Sequence, residues 1–291
     1  MIAPYFTFAR YIRENFKTKA FRISVDGFLG CNGKCIYCEN SYYRSPEESL
    51  EEQVIRLKEF YEQRYKARDF YLYFQKGTNT AAPAEELKRL YDKGLSLLPF
   101  IGLIIGTRPD AVDKKVISMI EGYTSTYDVW VEFGLQSTFN ETLQRIRRGH
   151  TYEDFLGALD LLKETKIKCT VHMILGLPGE TGEMMAESVR RLSRLPIEGI
   201  KFHHLYVLDG TELSRLYKEG EYTPLEYSRY KEILIDCLEN LRSDIVVHRI
   251  LGEDRSGHLL APRWELSKDE ILADIKKTMT ESGRFQGRLF P

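Results

Sequence analysis

The chain has 291 residues, of which 43% are hydrophobic, and a formal net charge of -1 at pH 7. This length suits one large α/β domain, alone or with a small appendage. The near-zero charge excludes a strong general attraction to nucleic acid or anionic membrane, although not a local basic patch. The longest apolar run, 100–105, is far below the roughly 18–20 residues that cross a bilayer. Because residues 1–16 also lack a signal-peptide pattern, we expect a cytoplasmic protein with no membrane partner.

From residue 21 onward the sequence repeats one pattern, in which an apolar β-rich run is followed by a turn and a helical run. The predicted strands are 21–26, 70–75, 100–105, 128–135, 168–175 and 199–208. The predicted helices are 46–65 (with Ser45 and Pro46 as its capped start), 83–97, 111–122, 140–147, 152–165, 182–195 and further segments to 241. Six strand–helix units predict parallel strands with right-handed crossovers. We therefore expect an α/β fold, either a partial (β/α)6 TIM-like barrel over 1–243 or an open doubly wound sheet.

Residues 244–291 are predicted to form a short C-terminal extension packed on the barrel, with a strand over 244–251 and a helix over 267–282. The polar end of that strand, His248 and Arg249, is compatible with closing the barrel or with touching substrate. In both α/β architectures the site lies at the carboxyl ends of the strands. The polar and glycine-rich segments follow strand ends, so we expect them to gather there.

Three cysteines, Cys31, Cys35 and Cys38, follow the first predicted strand with the spacing Cys-x3-Cys-x2-Cys. A [4Fe–4S] cluster normally takes four protein thiolates, so three would leave one iron open for a ligand that is not protein. The alternative is a zinc-stabilised binding module with a distant fourth ligand. Zinc sites usually repeat Cys-x2-Cys or add paired histidines, and no histidine lies nearby. Cys169 and Cys237 stand alone in apolar runs and are expected to be buried thiols.

A small ligand with an amine and a carboxylate, such as S-adenosylmethionine, could chelate the open iron. Gly77 and Thr78 follow the second strand, where glycine allows close backbone approach, although an ordinary turn glycine fits equally well. Glu132 and Gln136 share one face of the fourth strand. A carboxylate and an amide are costly to bury unpaired. This favours ribose or substrate contact over a structural ion pair.

Further candidates come from an arginine-rich helix end and from strand histidines. Arg148 ends a basic group that also contains Arg145 and Arg147, some of which could simply compensate the helix dipole. His172 begins the strand end 172–179. His203 and His204 are adjacent and point to opposite faces of their strand, so at most one lines the interior. His203 is the better candidate, although a lone strand histidine is more often a core residue.

The cysteine spacing, with Tyr37 before the last cysteine, resembles the signature of the radical SAM superfamily. Other segments resemble motifs of the radical SAM domain of the Elongator catalytic subunit, which modifies wobble uridine in tRNA. They are 107–110, 131–137, 148–150 and 172–179. The whole chain is similar to the uncharacterised YhcC/YtqA-like branch of the superfamily.

The resemblance implies that Cys31, Cys35 and Cys38 hold a [4Fe–4S] cluster whose reduced form cleaves S-adenosylmethionine to a 5′-deoxyadenosyl radical. Gln136 and Arg148 fall where relatives contact S-adenosylmethionine. A flavodoxin or ferredoxin would supply the electron. The implied substrate is a tRNA base or nucleoside, with a small metabolite or cofactor precursor as the alternative. The basic clusters 190–194 and 284–288 are compatible with tRNA.

Overall fold

The computed structural model describes residues 3–31, 33–38, 48–252, 254 and 257–291. The strands are β1 (Ala20–Asp26), β2 (Asp69–Lys76), β3 (Gly102–Thr107), β4 (Asp128–Gln136), β5 (Lys168–Leu175), β6 (Gly199–His204), β7 (Val207–Leu208), β8 (Val246–Arg249) and β9 (Leu259–Ala261). The helices are α1 (Phe8–Phe16), α2 (Leu50–Tyr65), α3 (Ala84–Ser96), α4 (Lys114–Glu121), α5 (Asn140–Arg145), α6 (Tyr152–Asp160), α7 (Gly182–Ser193), α8 (Glu212–Lys218), α9 (Tyr227–Glu239) and α10 (Lys268–Glu281). None of these helices is long and apolar enough to cross a membrane.

The main sheet is curled and parallel, with the strand order β1-β2-β3-β4-β5-β6-β8. This confirms the predicted partial TIM-like barrel. The described residues give it seven strands where six were predicted, because β8 pairs in parallel with β6. The strand assigned to the C-terminal extension is therefore part of the barrel sheet. The predicted strand 199–208 is also divided, since β6 ends at His204 and β7 pairs antiparallel with β9.

Helix α2 begins later than the sequence predicted. Ser49 caps it, because its hydroxyl accepts from the Glu52 backbone N–H at 3.3 Å while Glu52 accepts from the Ser49 N–H at 2.7 Å. This reciprocal pair is a capping box, which fixes the helix start at Leu50. The predicted start at Ser45 and Pro46 lies outside the described residues.

Alternation along the strands separates two cores. Outward-facing apolar residues pack against the helices in one large cluster. A smaller cluster lies inside the barrel and is closed by α1, which the sequence did not predict. Its members are Phe8, Tyr11, Ile12, Tyr71, Tyr73, Ile104, Trp130 and Val246. The Tyr11 hydroxyl donates to Asp128, the first residue of β4, at 3.0 Å. Helix α1 therefore packs against the amino ends of the strands, and the cavity lined by the three cysteines lies at their carboxyl ends.

Candidate active site at the mouth of the half-barrel

A cavity of about 850 Å³ opens at the carboxyl ends of the strands. Every strand of the main sheet contributes to its wall. The sequence-predicted residues that line it are Cys31, Cys35, Cys38, Tyr37, Gly77, Glu132, Gln136, Arg148, His172 and His203. Thr78 is buried beside this wall and does not line it. Its hydroxyl has no hydrogen-bond partner among the described residues.

The loop after β2 supports the cysteine loop through its backbone. The Thr78 N–H donates to the Gly30 carbonyl at 2.7 Å. Gly77 has φ +77°, and a Cβ there would lie 2.4 Å from the Gly30 oxygen. The close approach predicted for Gly77 is thus made to the cysteine loop itself. Contact of Gly77 or Thr78 with a cofactor stays a prediction.

Hydrogen-bond donors surround the cysteine sulfurs. The Gly33 N–H donates to Cys31 Sγ at 3.3 Å, and Arg148 Nη1 donates to Cys35 Sγ at 3.5 Å. Burial raises the pKa of Tyr37 well above its usual value, an effect that Arg148 opposes and Cys35 reinforces. Donors and a cation near the sulfurs stabilise thiolates and tune the potential of an iron–sulfur cluster.

The three loop cysteines face one common space. No group of three or more His, Cys, Asp or Glu side chains in the described chain is arranged to hold one metal ion. Cys31, Cys35 and Cys38 nevertheless line the same cavity. A four-iron cluster distributes its thiolate ligands over different iron atoms, so it needs cysteines around a common space and not around one point.

Gln136 combines backbone strain with an unused polar atom. Its φ is +79°, which is uncommon for a residue with a side chain. Its Oε1 is buried in the cavity wall without a hydrogen-bond partner among the described residues. Strained backbone and unsatisfied polar groups concentrate at functional sites. Next to it, a Cβ at Gly134 would lie 2.7 Å from Arg148 Nη2, so glycine makes room for that arginine.

A buried ion pair crosses the barrel below these groups. Lys201 Nζ lies 2.9 Å from Glu132 Oε2, with both side chains under 5% exposed. The Tyr73 hydroxyl donates to the same carboxylate oxygen and lies 2.5 Å from Lys201 Nζ. His248 Nδ1 is 3.5 Å from Glu132 Oε1. The sequence favoured ribose or substrate contact for Glu132 over an ion pair, and the structure shows the ion pair. A ribose contact from the remaining cavity face of Glu132 stays a prediction.

Histidine placement follows the strand alternation. His203 lines the cavity with His172, and their ring centroids are 6.0 Å apart. His204 points the other way and stacks on Trp264 at 4.3 Å. This confirms that only one of the adjacent pair faces the interior. Burial lowers the pKa of His172 and of His203 well below the usual range, and Arg249 lowers both further.

Sequence reasoning did not single out Tyr73 and Lys201 of this cavity. It included Arg108 only within the segment 107–110, and it left open whether Arg249 closes the barrel or touches substrate. Arg108 Nη1 donates to the Arg148 carbonyl at 2.8 Å and so ties two loops together. A signal for Lys201 was present, because it precedes His203 by two residues and must share its face. Arg249 follows a register shift in the β6–β8 pairing, which strand alternation alone does not reveal.

Replacing Arg148 by glutamine should lower the reduction potential of a cluster held by the cysteines. The substitution removes a positive charge beside Cys35, and a nearby cation favours the reduced, more negative cluster. The measurement is a redox titration followed by electron paramagnetic resonance. Arg145→Gln is the matched control, because Arg145 donates to the Pro178 carbonyl and to none of the described cysteines. An unchanged reduction potential in Arg148→Gln would contradict the placement of Arg148 beside a ligand of the cluster.

Comparison with known proteins agrees with this geometry. The profile of the Radical SAM superfamily matches residues 27–192, and that of the Radical_SAM C-terminal domain matches 197–281. The uncharacterised protein MJ0486 of Methanocaldococcus jannaschii is 37% identical over 96% of this chain and 90% of its own. YtqA of Bacillus subtilis is 30% identical over 98% of this chain and 92% of its own.

A tRNA uridine(34) acetyltransferase and a solved Elp3 structure are also similar to this chain. The tRNA uridine(34) acetyltransferase of M. jannaschii is 34% identical, but over only 46% of this chain and 25% of its own length. The solved structure of Elp3 from Methanocaldococcus infernus superposes with a TM-score of 0.71 over 92% of this chain and 63% of that one, at 20% identity, and so supports the fold. The long profile match and the full-length relatives identify the chain as a member of the Radical SAM superfamily, an enzyme whose cofactors are a [4Fe–4S] cluster and S-adenosylmethionine.

Proposed function

We propose that this chain holds its cluster through Cys31, Cys35 and Cys38 and modifies a base or nucleoside of tRNA. The observation that carries the first part is the convergence of all three cysteines on one cavity with Gln136 and Arg148. When bound and reduced, the cluster and S-adenosylmethionine together supply a 5′-deoxyadenosyl radical that abstracts hydrogen from substrate. The protein's own residues then have to bind, orient and shield the reactants.

The residues that line the cavity have separate roles in this proposal. Arg148 holds the cysteine loop against β4, since its Nε and Nη2 donate to the Gly134 carbonyl at 3.0 and 2.7 Å. The free amide oxygen of Gln136 accepts a hydrogen bond from S-adenosylmethionine. Tyr37 shields the cysteines from water. Glu132, His172 and His203 face the substrate side.

The tRNA part rests on the similarity to the tRNA uridine(34) acetyltransferase, which covers 46% of this chain. The basic clusters suggested by the sequence give little support. Arg190 ion-pairs with Glu183 and Glu187, and Arg191 pairs with Glu187. Arg284 and Arg288 both pair with the buried Glu239. Paired arginines have less charge to offer to phosphates, so we assign neither cluster to tRNA binding.

The same ion pairs favour a second candidate function, the modification of a small metabolite or cofactor precursor. Such a substrate needs only the walled cavity and no extended basic surface. A cavity of about 850 Å³ is within the size range of small-molecule sites. The zinc-stabilised binding module is not proposed again, because the chain belongs to an enzyme superfamily that carries an iron–sulfur cluster.

An electron donor of the flavodoxin or ferredoxin type completes the proposal. Cys31 and Cys38 are only partly buried. Partial exposure of two ligands would bring the cluster close to a docked donor, as electron transfer requires. Reduction of the reconstituted protein by flavodoxin with its reductase, compared with dithionite, tests this step.

Nucleoside analysis of tRNA from cells with and without this protein tests the substrate. A nucleoside that disappears in the deletion strain, and is restored by the parent gene but not by a Cys35→Ala gene, is the expected result. Purified protein should bind tRNA with a log–log salt slope of about −2 or steeper if it contacts three or more phosphates. Unchanged nucleosides together with a slope near zero would reject tRNA and leave the small-molecule candidate.

A further inference from the structure

The floor of the cavity carries more positive than negative charge. Lys201 and Arg249 are paired register positions on β6 and β8, and both line the cavity. Arg22 lies behind them, with its Nη2 3.1 Å from His248 Nδ1. Among the described residues, Glu132 is the carboxylate that ion-pairs in this layer. One carboxylate beside three basic side chains leaves an excess of positive charge. Burying that excess is costly unless a negatively charged group compensates it.

Arg249 has hydrogen-bonding capacity in this layer that no described residue uses. Its Nε is buried and has no partner among the described residues. Its Nη2 lies 3.5 Å from His172 Nε2, which is too long for a strong hydrogen bond. No ion pair joins Arg249 to a described carboxylate. A guanidinium presents a planar fork of donors that matches the two oxygens of a carboxylate or phosphate, and no described carboxylate occupies that fork.

The neighbouring imidazoles do not change this balance of charge. His172 and His203 flank Arg249, and burial lowers the pKa of each far below its usual range. Both rings are therefore neutral at pH 7, and each can still hydrogen-bond a ligand. At the other end of the cavity, the cysteines have their own cation, because Arg148 donates to Cys35. The excess at the floor is thus separate from the charge balance of the cluster.

We infer that the floor of the cavity binds an oxyanion group, a carboxylate or a phosphate, between Arg249 and Lys201. The inference rests on the proposed function to the extent that the substrate enters this cavity. A nucleotide that inserts its base into a pocket keeps its phosphate on the strand backbone outside. If tRNA is the substrate, the oxyanion therefore belongs to a second, small substrate. If a metabolite is the substrate, the oxyanion is part of it.

The test uses the holoprotein with its cluster and S-adenosylmethionine bound. Inorganic phosphate and malonate are titrated separately at constant ionic strength, with binding followed by calorimetry and by thermal shift. We expect saturable binding of at least one probe, and the probe that binds identifies the source as phosphate or carboxylate. Arg249→Gln should raise the dissociation constant at least about tenfold, because a bidentate charged contact is lost. Arg249→Lys should give an intermediate value, since it keeps the charge but not the fork.

Lys88→Met is the matched control, because Lys88 is exposed, pairs with Asp92 and lies outside the cavity. It should bind both probes as the parent does. The inference is overturned if the parent binds neither probe, or if Arg249→Gln binds them as tightly as the parent. It is also overturned if Arg249→Gln weakens S-adenosylmethionine binding by the same factor, since Arg249 would then belong to the cofactor site. Circular dichroism of Arg249→Gln checks its folding. Unchanged tRNA nucleosides with intact probe binding would reject only the tRNA proposal.

Discussion

The variant Cys35→Ala should fold, but it should not assemble its cluster and should form no 5′-deoxyadenosine above background. Cys35 is the most buried of the three loop cysteines and accepts a hydrogen bond from Arg148. Loss of an outer partner of a metal site already costs roughly 10–100-fold in affinity or activity, so loss of a ligand should exceed that. The measurements are visible charge-transfer absorbance after anaerobic reconstitution, and 5′-deoxyadenosine released with reductant.

Cys169→Ala is the matched control for this substitution. It also removes one free thiol, but from the buried interior of β5 and outside the cavity. It should keep its absorbance and its 5′-deoxyadenosine yield. Iron content and product equal to the parent in Cys35→Ala would show that Cys35 is not a ligand. Loss of both in Cys169→Ala as well would indicate damage to the fold and not to the site.

The strands and the cysteine loop could be predicted because their signals are local. Each strand is a short apolar run that ends in polar or glycine-rich residues, and the loop cysteines lie within eight residues of each other. Parallel topology then places all strand ends at one mouth. Alternation also correctly separated His203, in the cavity, from His204, on Trp264.

The missed features depend on contacts between distant parts of the chain. Glu132 and Lys201 are 69 residues apart, so no spacing in the sequence reveals their ion pair. Carboxylate burial alone could not distinguish an ion pair from a ribose contact. The seventh strand was assigned to an extension, and only its pairing with β6, far earlier in the chain, places it in the barrel sheet. Helix α1 did carry a signal, since Phe8, Tyr11 and Ile12 have the spacing of one helical face.

The buried ion pair between Glu132 and Lys201 should make a large contribution to the stability of the fold. Burial alone would raise the pKa of Glu132, but Lys201, His248 and Arg22 outweigh it and hold that pKa well below its usual range. Burial lowers the pKa of Lys201 to about 7; Glu132 opposes this, whereas Arg249 and Arg22 reinforce it. The two shifts differ because the carboxylate faces several cations, whereas the ammonium faces one carboxylate and further cations.

Glu132→Gln should therefore lower the free energy of unfolding by about 3–5 kcal/mol at pH 7, because it leaves buried cations without their carboxylate. Denaturant unfolding measures this. The double variant Glu132→Gln with Lys201→Met should recover part of the loss, since both members of the pair are then neutral while Arg22 and Arg249 remain. Glu62→Gln is the control, because Glu62 pairs with Lys58 on the exposed face of α2 and such pairs contribute less than about 1 kcal/mol.

The pH dependence gives an independent signature of the same pair. In the parent, Lys201 is protonated in both folded and unfolded states below about pH 7, so it adds no slope there. Without Glu132, the folded-state pKa of Lys201 falls further, and just below pH 7 the unfolded state binds more protons than the folded state. Stability then rises with pH in that interval. Glu132→Gln should show this added slope, and the double variant should not. Equal slopes in the parent and Glu132→Gln, with a stability loss below about 1 kcal/mol, would mean that the ion pair does not hold the floor of the cavity together.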